Sequence, residues 1–334
     1  MVRTSANAYV KYCFEDGTTF AALASGITPN KKFGLQDKVS SLASNNGKVA
    51  LNQLNKNTVH KFAYGQQNVS LSVGFTLSSP WIFGAILGVP SYASNTFTYP
   101  HTTNGLNKSP RTIKTEIGFE NDSDDVVREI RGGVVNALNI SAAVGGLVDC
   151  TVDVTSGLEA SSSITLSGTE APTAPSQEFP YTFAHAELVI NGEVAAECQD
   201  VSLNLTQNGE LLYGLGSNSS VAALRKVLEM TGSFRTSWLD NTMFQKLLAQ
   251  IKADSATTYQ ETVGIRTSPT VNAEFRLTFE ENSTNQQIVI TGTGLSISDH
   301  SISGLEPVEP LFEEINWQFK TITVVAKSTA TAEP

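Results

Sequence analysis

Two stretches of this chain spell nearly the same text: "LQDKVSSLASNNG", beginning at Leu35, and "CQDVSLNLTQNG", beginning at Cys198. Each holds a Gln and an Asp, then Val, Ser and Leu spaced by polar residues, then Asn and Gly. Apolar residues alternating with polar ones mark a half-buried strand, and Asn-Gly marks a turn. The surroundings recur in the same order. "YVKYCFEDGTTFAAL" reads as a hairpin around Asp16 and Gly17, and "AELVINGEVAAE" as one around Asn191 and Gly192. After each repeated stretch come a long polar segment, an alternating strand, a short helix signal and closing strands. An ordered series of this kind points to internal duplication, so the chain is expected to hold two copies of one β-rich fold.

The strands set the expected core. "NVSLSVGFTL" places Val69, Leu71, Val73, Phe75 and Leu77 on one face, and "EMTGSFRTS" is its weaker counterpart. The helix signals are "SPWIFGAILG", with Ser79 as N-cap and Pro80 in the first turn, and "DNTMFQKLLAQI", with Asp240 as N-cap and Met243, Phe244, Leu247, Leu248 and Ile251 on one stripe. "REIRGGVVNALNISAAVGGLVDCTVDV" closes the first half; "AEFRLTFE", "QQIVITGTGLSIS" and "INWQFKTITVVA" close the second. The stretch "GTEAPTAPSQEFP" has three prolines and no periodicity, as a connection would. The expected division is residues 1–168 as a first β module, 181–334 as a second, and 169–180 as a Pro-rich connection.

Composition narrows the function. Charged residues are only 16% of the 334-residue chain, which favours strands and flat polar surfaces over long solvated helices. The formal net charge of −10 argues against phosphate-neutralising contact with nucleic acid, since such proteins concentrate Lys and Arg. Cys13, Cys150 and Cys198 are far apart and odd in number, so buried free thiols are expected in place of a disulfide framework or zinc site. The first residues, "MVRTSANAYVKY", carry no apolar signal-peptide core, and no window has the length of a spanning helix.

Signals for catalysis are absent from the sequence. There is no GxSxG, and His60, His101, His185 and His300 are scattered without metal-ligand spacing. "ENDSDDVV" gathers Glu120, Asp122, Asp124 and Asp125 but lacks the EF-hand loop and reads as a solvated turn. No GxxxxGK[ST] phosphate cradle is present, and "YGLGSNSS" opens no helix of that kind. No enzyme activity, metal or cofactor is expected.

The stretch "INGEVAAECQDVSLNLTQNGELLYGLGSNSSVAALRKVLEMTGSF", Ile190 to Phe234, resembles the tail tube (major tail) proteins of tailed phages and archaeal tailed viruses. The shared plan is a strand pair around Asn-Gly, a strand ending in a polar turn, a long loop with an aromatic and GxGS, and a strand into TGSF. "RGGVVNALNISAAVGGLVDCTVDV", Arg131 to Val154, is similar to the family's closing strands. The resemblance implies a mainly β fold, here two tandem β-sandwich or barrel modules, each with one short flanking helix. It also implies a structural subunit of the virion tail, made in the host cytoplasm and self-assembling into stacked rings around a channel for double-stranded DNA.

Single-copy relatives close rings of six, so a doubled chain is expected to close a trimeric, pseudo-hexameric ring. The implied partners are copies of itself and other tail proteins, namely the tape measure, the terminator and a sheath, with DNA passing the lumen unread and no membrane involved. The loops "NGKVALNQLNKNTVHKFAYGQ" and "NGELLYGLGSNSS" are the candidate contacts, through Asn46, Val59, Phe62 and Tyr64 in the first and Asn208, Leu211, Leu212 and Tyr213 in the second. Two other readings stay open: the inner tube of a contractile injection system, and a β-sandwich surface-binding or adhesin module.

Overall fold

A computed structural model describes residues 8–16, 19–23, 27–52, 59–63, 65–100, 111–119, 126–163, 180–190, 193–194, 198–237, 273–278, 287–304 and 311–327. In chain order the first half gives β1 (Tyr9–Phe14), β2 (Leu35–Asn45), β3 (Val49–Asn52), β4 (Val59–Ala63), β5 (Asn68–Thr76), the helix α1 (Phe83–Leu87), β6 (Ser91–Ala93), β7 (Thr96–Pro100), β8 (Ile113–Phe119), β9 (Val126–Ala143), β10 (Val148–Ser156) and β11 (Leu158–Ser163). The second gives β12 (Ala186–Ile190), β13 (Glu193–Val194), β14 (Cys198–Thr206), β15 (Glu210–Tyr213), β16 (Ser220–Leu224), β17 (Glu229–Ser237), β18 (Ala273–Thr278), β19 (Gln287–Thr293), β20 (Ser296–Ser303), β21 (Phe312–Gln318) and β22 (Thr321–Lys327). The fold is mainly β.

Every strand pairing among the described residues is antiparallel, and the pairings follow one scheme twice. In the first half β1 pairs β8, β8 pairs β9, and β9 pairs β11, while β2 pairs β5, β5 pairs β10, and β10 pairs β9. In the second, β12 pairs β18, β18 pairs β19, and β19 pairs β22, while β14 pairs β17, β17 pairs β21, and β21 pairs β20. The two halves differ in β9. This 18-residue strand passes from one sheet into the other without a break, whereas its counterpart is split into β19 and β20 around Gly294, at φ +67°. The crossing in β9 falls at Gly132, at φ +61°, whose N–H donates to both carboxylate oxygens of the buried Glu15.

Alternation explains the core. Val69, Leu71, Val73 and Phe75 of β5 face Ile140, Leu138, Val152 and Val154 of the same sheet side, and all are buried against Tyr12, Ile113, Ile117 and Ile130 of the opposite sheet. In the second half Leu203 and Leu205 of β14, Phe234 of β17 and Trp317 of β21 meet Phe275, Ile290 and Ile322 in the same way. Gly232 is required there, because a Cβ at this position would lie 2.0 Å from the Trp317 indole nitrogen. The five residues of α1 are all buried.

Two local expectations are corrected. Asp16 does not close a hairpin: β1 pairs β8, and the chain after it returns only as the isolated bridge from Tyr12 to Lys31. The Asp16 carboxylate is held by Arg111, whose Nη2 and Nε lie 2.7 and 3.0 Å from it. Ser79 does not cap the helix, which starts at Phe83 with no side-chain cap; Pro80 and Trp81 form the preceding turn, with Phe83 N–H donating to the Pro80 carbonyl at 3.1 Å. The expected pairing around Asn191–Gly192 is present, with Ile190 opposite Glu193. The helix expected from Asp240, the acidic segment at 120–125 and the connection at 169–179 lie outside the described residues.

Candidate assembly surface: a continuous sheet, its open edges and two arms

The two halves share one sheet. β14 pairs β9 along seven residue pairs, from Asp200↔Ala143 to Thr206↔Ala137, giving the strand order β2-β5-β10-β9-β14-β17-β21-β20. One face of these eight strands is the core just described. Period-two alternation sends the other residues to the opposite face: Ser70 and Ser72 of β5, Thr151 and Thr155 of β10, Asn139 and Ser141 of β9, Ser202 and Asn204 of β14, Thr231 and Ser233 of β17, Asn316 and Gln318 of β21. This face is hydroxyl- and amide-rich. Its charged members are mostly acidic: Asp149, Asp153, Asp200, Glu229, Asp299 and Glu314 against Lys38 and Arg235.

The outward side of the β1-β8-β9-β11 sheet is different in kind, being laced with ion pairs. Lys11 meets Glu116 at 2.9 Å, Lys114 meets Glu129 at 3.1 Å and Arg131 meets Glu129 at 2.7 Å; Arg128 and Glu159 pair instead on the inner face, where Arg128 also donates to Ser44 of β2 at 2.7 Å. Arg131 and Lys114 hold the Glu129 carboxyl below its ordinary range against the opposing effect of burial.

Both ends of the eight-stranded sheet are open. Among the described residues β2 pairs only β5, and β20 pairs only β21, so each has a row of backbone N–H and C=O groups facing away from the sheet. Within β20, His300 pairs with Glu313 on the side of β21, and both side chains are buried.

Two hairpin arms rise from equivalent places, β3–β4 between β2 and β5, and β15–β16 between β14 and β17. Asn136 of β9 anchors the second arm: its carbonyl accepts from Gln207 N–H at 2.7 Å and its side-chain oxygen from Gly209 N–H at 2.9 Å. The arm then lies against the first half. Tyr213 Oη donates to the Gln67 carbonyl at 2.6 Å, Gln67 N–H donates to the Asn218 carbonyl at 2.7 Å, and Ser220 N–H donates to the Gly157 carbonyl at 3.3 Å. Gly157 is needed for this approach, since a Cβ there would fall 2.7 Å from Ser220. Beside the arm, Arg225 Nη2 donates to the Ile86 carbonyl in α1 at 2.9 Å.

A family model described as phage tail tube protein matches residues 5–319. The chain belongs to the phage tail tube family. No curated protein matches it. As a tail tube protein it is a structural component of the virion tail, and no helix among its described residues is long and apolar enough to cross a membrane.

The residues picked from the sequence as contacts of this tail tube protein fall on both arms. Asn46 is at the foot of the first, its carbonyl accepting from Gly65 N–H at 3.0 Å; Phe62 lies exposed on β4, and Val59 begins that strand. Tyr64 lies outside the described residues. Asn208 takes a left-handed turn, φ +50°, at the foot of the second arm, and Leu211, Leu212 and Tyr213 lie on β15. Leu211 and Tyr213 are half-buried, and the Tyr213 hydroxyl is committed to Gln67 of its own chain. Sequence reasoning missed the partners that hold the arm, Asn136, Gln67 and Gly157, because they carry no motif. It also missed the polar sheet face, although the Ser, Thr and Asn residues alternating with the core positions were its signal.

The three thiols are free. Burial, with the charge of Glu15 second, pushes the Cys13 thiol up to about 11; burial and then Asp200 push Cys198 up to about 12; burial also pushes Cys150 up. Thiols held in that range are inert packing groups at neutral pH.

Proposed function

We propose that this tail tube protein carries the tube fold twice, in residues 1–168 and 181–334 joined by 169–180, and that three chains close a ring with six equivalent places. One observation carries this reading. The β9–β14 joint inside the chain links the closing strand of one half to the opening strand of the next, and the open edges β20 and β2 hold those same two places in the pairing scheme. Pairing β20 of one chain with β2 of the next repeats the internal joint and leaves no edge exposed, which only closure achieves.

Three eight-stranded sheets so joined, with strands about 4.8 Å apart and tilted about 40°, make a barrel on the order of 50 Å across at the backbone. That is wide enough for a DNA duplex. The core face of each sheet is already covered, so the hydroxyl-rich, weakly acidic face lines the channel. It offers little to neutralise phosphates, so DNA stays hydrated and mobile as it passes toward the host cell. Rings stack into the tube, the ends of which meet the tape measure and terminator proteins, and the protein has no catalytic task.

The test is the mass of a reassembled ring by native mass spectrometry, with electron microscopy of the tube. A ring of three chains is expected. A ring of six chains with one half alone lining the channel would overturn the reading.

A further inference from the structure

The second arm is seated on a neighbour, and the neighbour happens to be in the same chain. β15–β16 rests on Gln67, immediately ahead of β5, and on Gly157, between β10 and β11, which buries Ala223 and half-buries Leu211 and Tyr213. The first arm has the same place in its own half, yet among the described residues nothing covers it. Val49 is 54% exposed, Leu51 47% and Phe62 53%, with the Lys48 ammonium lying 4.6 Å above the Phe62 ring. The place that Gln67 holds ahead of β5 is held ahead of β17 by Val227 and Leu228, and the place of Gly157 is held by Phe319 and Lys320. Val227 is 78% exposed.

We propose that β3–β4 lies sideways across the second half of a second copy in the same ring, with Val49 and Leu51, which share one face of the arm while Phe62 stands on the other opposite Ala50, covering Val227 and the stem of Lys320. The inference rests on the ring reading above, and extends the internal joint to its neighbouring arm. The two seats differ in a way that matches their arms. Gly157 admits a close backbone approach by Ser220, whereas at the second seat Phe319 is turned into its own core against Trp317 and Lys320 presents an exposed side chain. The first arm correspondingly brings apolar side chains in place of a hydroxyl and backbone groups.

The experiment is cross-linking in assembled tubes. Leu51→Cys and Val227→Cys are combined in a Cys198→Ser background and treated with a short bis-maleimide, then run on a denaturing gel. A sideways contact joins chains around one closed ring, so the expected product stops at three chains. A ladder running far beyond three would put the arm on the adjacent ring and overturn the proposal, as would the absence of cross-links in intact tubes. If the unmodified protein forms no ring at all, it is the ring reading that has failed. Leu51→Asp, with unchanged thermal unfolding of the single chain, is expected to raise the concentration needed for assembly about ten-fold or more, from the loss of one buried leucine side chain per contact. Unchanged assembly by that variant would also overturn the contact.

Discussion

A proline placed in β20 separates folding from assembly. Successive residues of a strand turn their N–H groups to opposite sides, so of Ser301 and Ile302 one serves the pairing with β21 and the other faces the open edge. Proline removes the N–H and is tolerated only where that group has no partner in the sheet. One of Ser301→Pro and Ile302→Pro is therefore expected to unfold more easily, and the other to leave the single chain intact. The internal β9–β14 joint gives the scale for what the second variant loses. Its seven aligned pairs make about seven backbone bonds, each worth about 1 kcal/mol net. At the proline one such bond vanishes and the facing carbonyl is left without a donor, which together cost about 2–4 kcal/mol per joint. That is roughly a 30- to 700-fold weakening of each joint, and a ring with three joints is weakened by about 6–12 kcal/mol. Sedimentation velocity at the concentration where the unmodified protein forms rings reads the outcome, with circular dichroism as the control for folding. If both variants fold and both still form rings, β20 is not the closing edge.

Other consequences follow from particular contacts. Burial raises the Glu15 carboxyl above its ordinary 4.5, against the opposing Gly132 N–H and Thr112. Since the folded value is the higher one, the protonated group favours the folded chain. Its contribution is complete below the unfolded value and is lost as pH rises through the folded value. Glu15→Gln should therefore gain stability over the parent at neutral pH and lose the advantage under acid, which urea unfolding midpoints at the two conditions will show; equal midpoints at neutral pH would refute it. Gly232→Val should cost about 1–3 kcal/mol by driving into Trp317, seen as a lower melting temperature with loss of the near-ultraviolet tryptophan signal. Asp149→Lys with Asp153→Lys should leave assembly unchanged but make tubes retain duplex DNA in a salt-sensitive way, each added contact steepening the dependence on salt. A filter-binding assay across salt concentrations measures it, and retention insensitive to salt would argue against these residues facing the channel.

Local sequence carried the strands well where one face is buried. The alternation in 69–77 read directly as β5, with Val69, Leu71, Val73, Phe75 and, just past its end, Leu77 all buried. It carried the pairing of β12 with β13 as well, since an Asn-Gly between two strands favours a hairpin by itself. It failed where a side chain had a distant use. Asp16 looked like a turn residue, but its carboxylate belongs to Arg111, and Ser79 looked like a cap but lies buried ahead of the helix. The doubled text around β2 and β14 was legible because both strands need the same alternation and the same turn. The counterpart of β9 was less so, because one half crosses between sheets in a single strand and the other breaks at Gly294. The arms were visible as apolar residues in polar surroundings, but their different states were not. Tyr213 meets Gln67 only through a join between halves that pairs no neighbours in sequence.

The outer sheet of the second half ends in strands from the first: β7 pairs β22 and β6 borders β7. During synthesis β7 leaves the ribosome long before β22. The hairpin must wait for that partner while the strands between them are made, and long waits of this kind slow folding and expose a sticky edge. A chain cut short before Thr321 would leave that edge bare for good, so β22 acts as a seal over the hairpin of the first half.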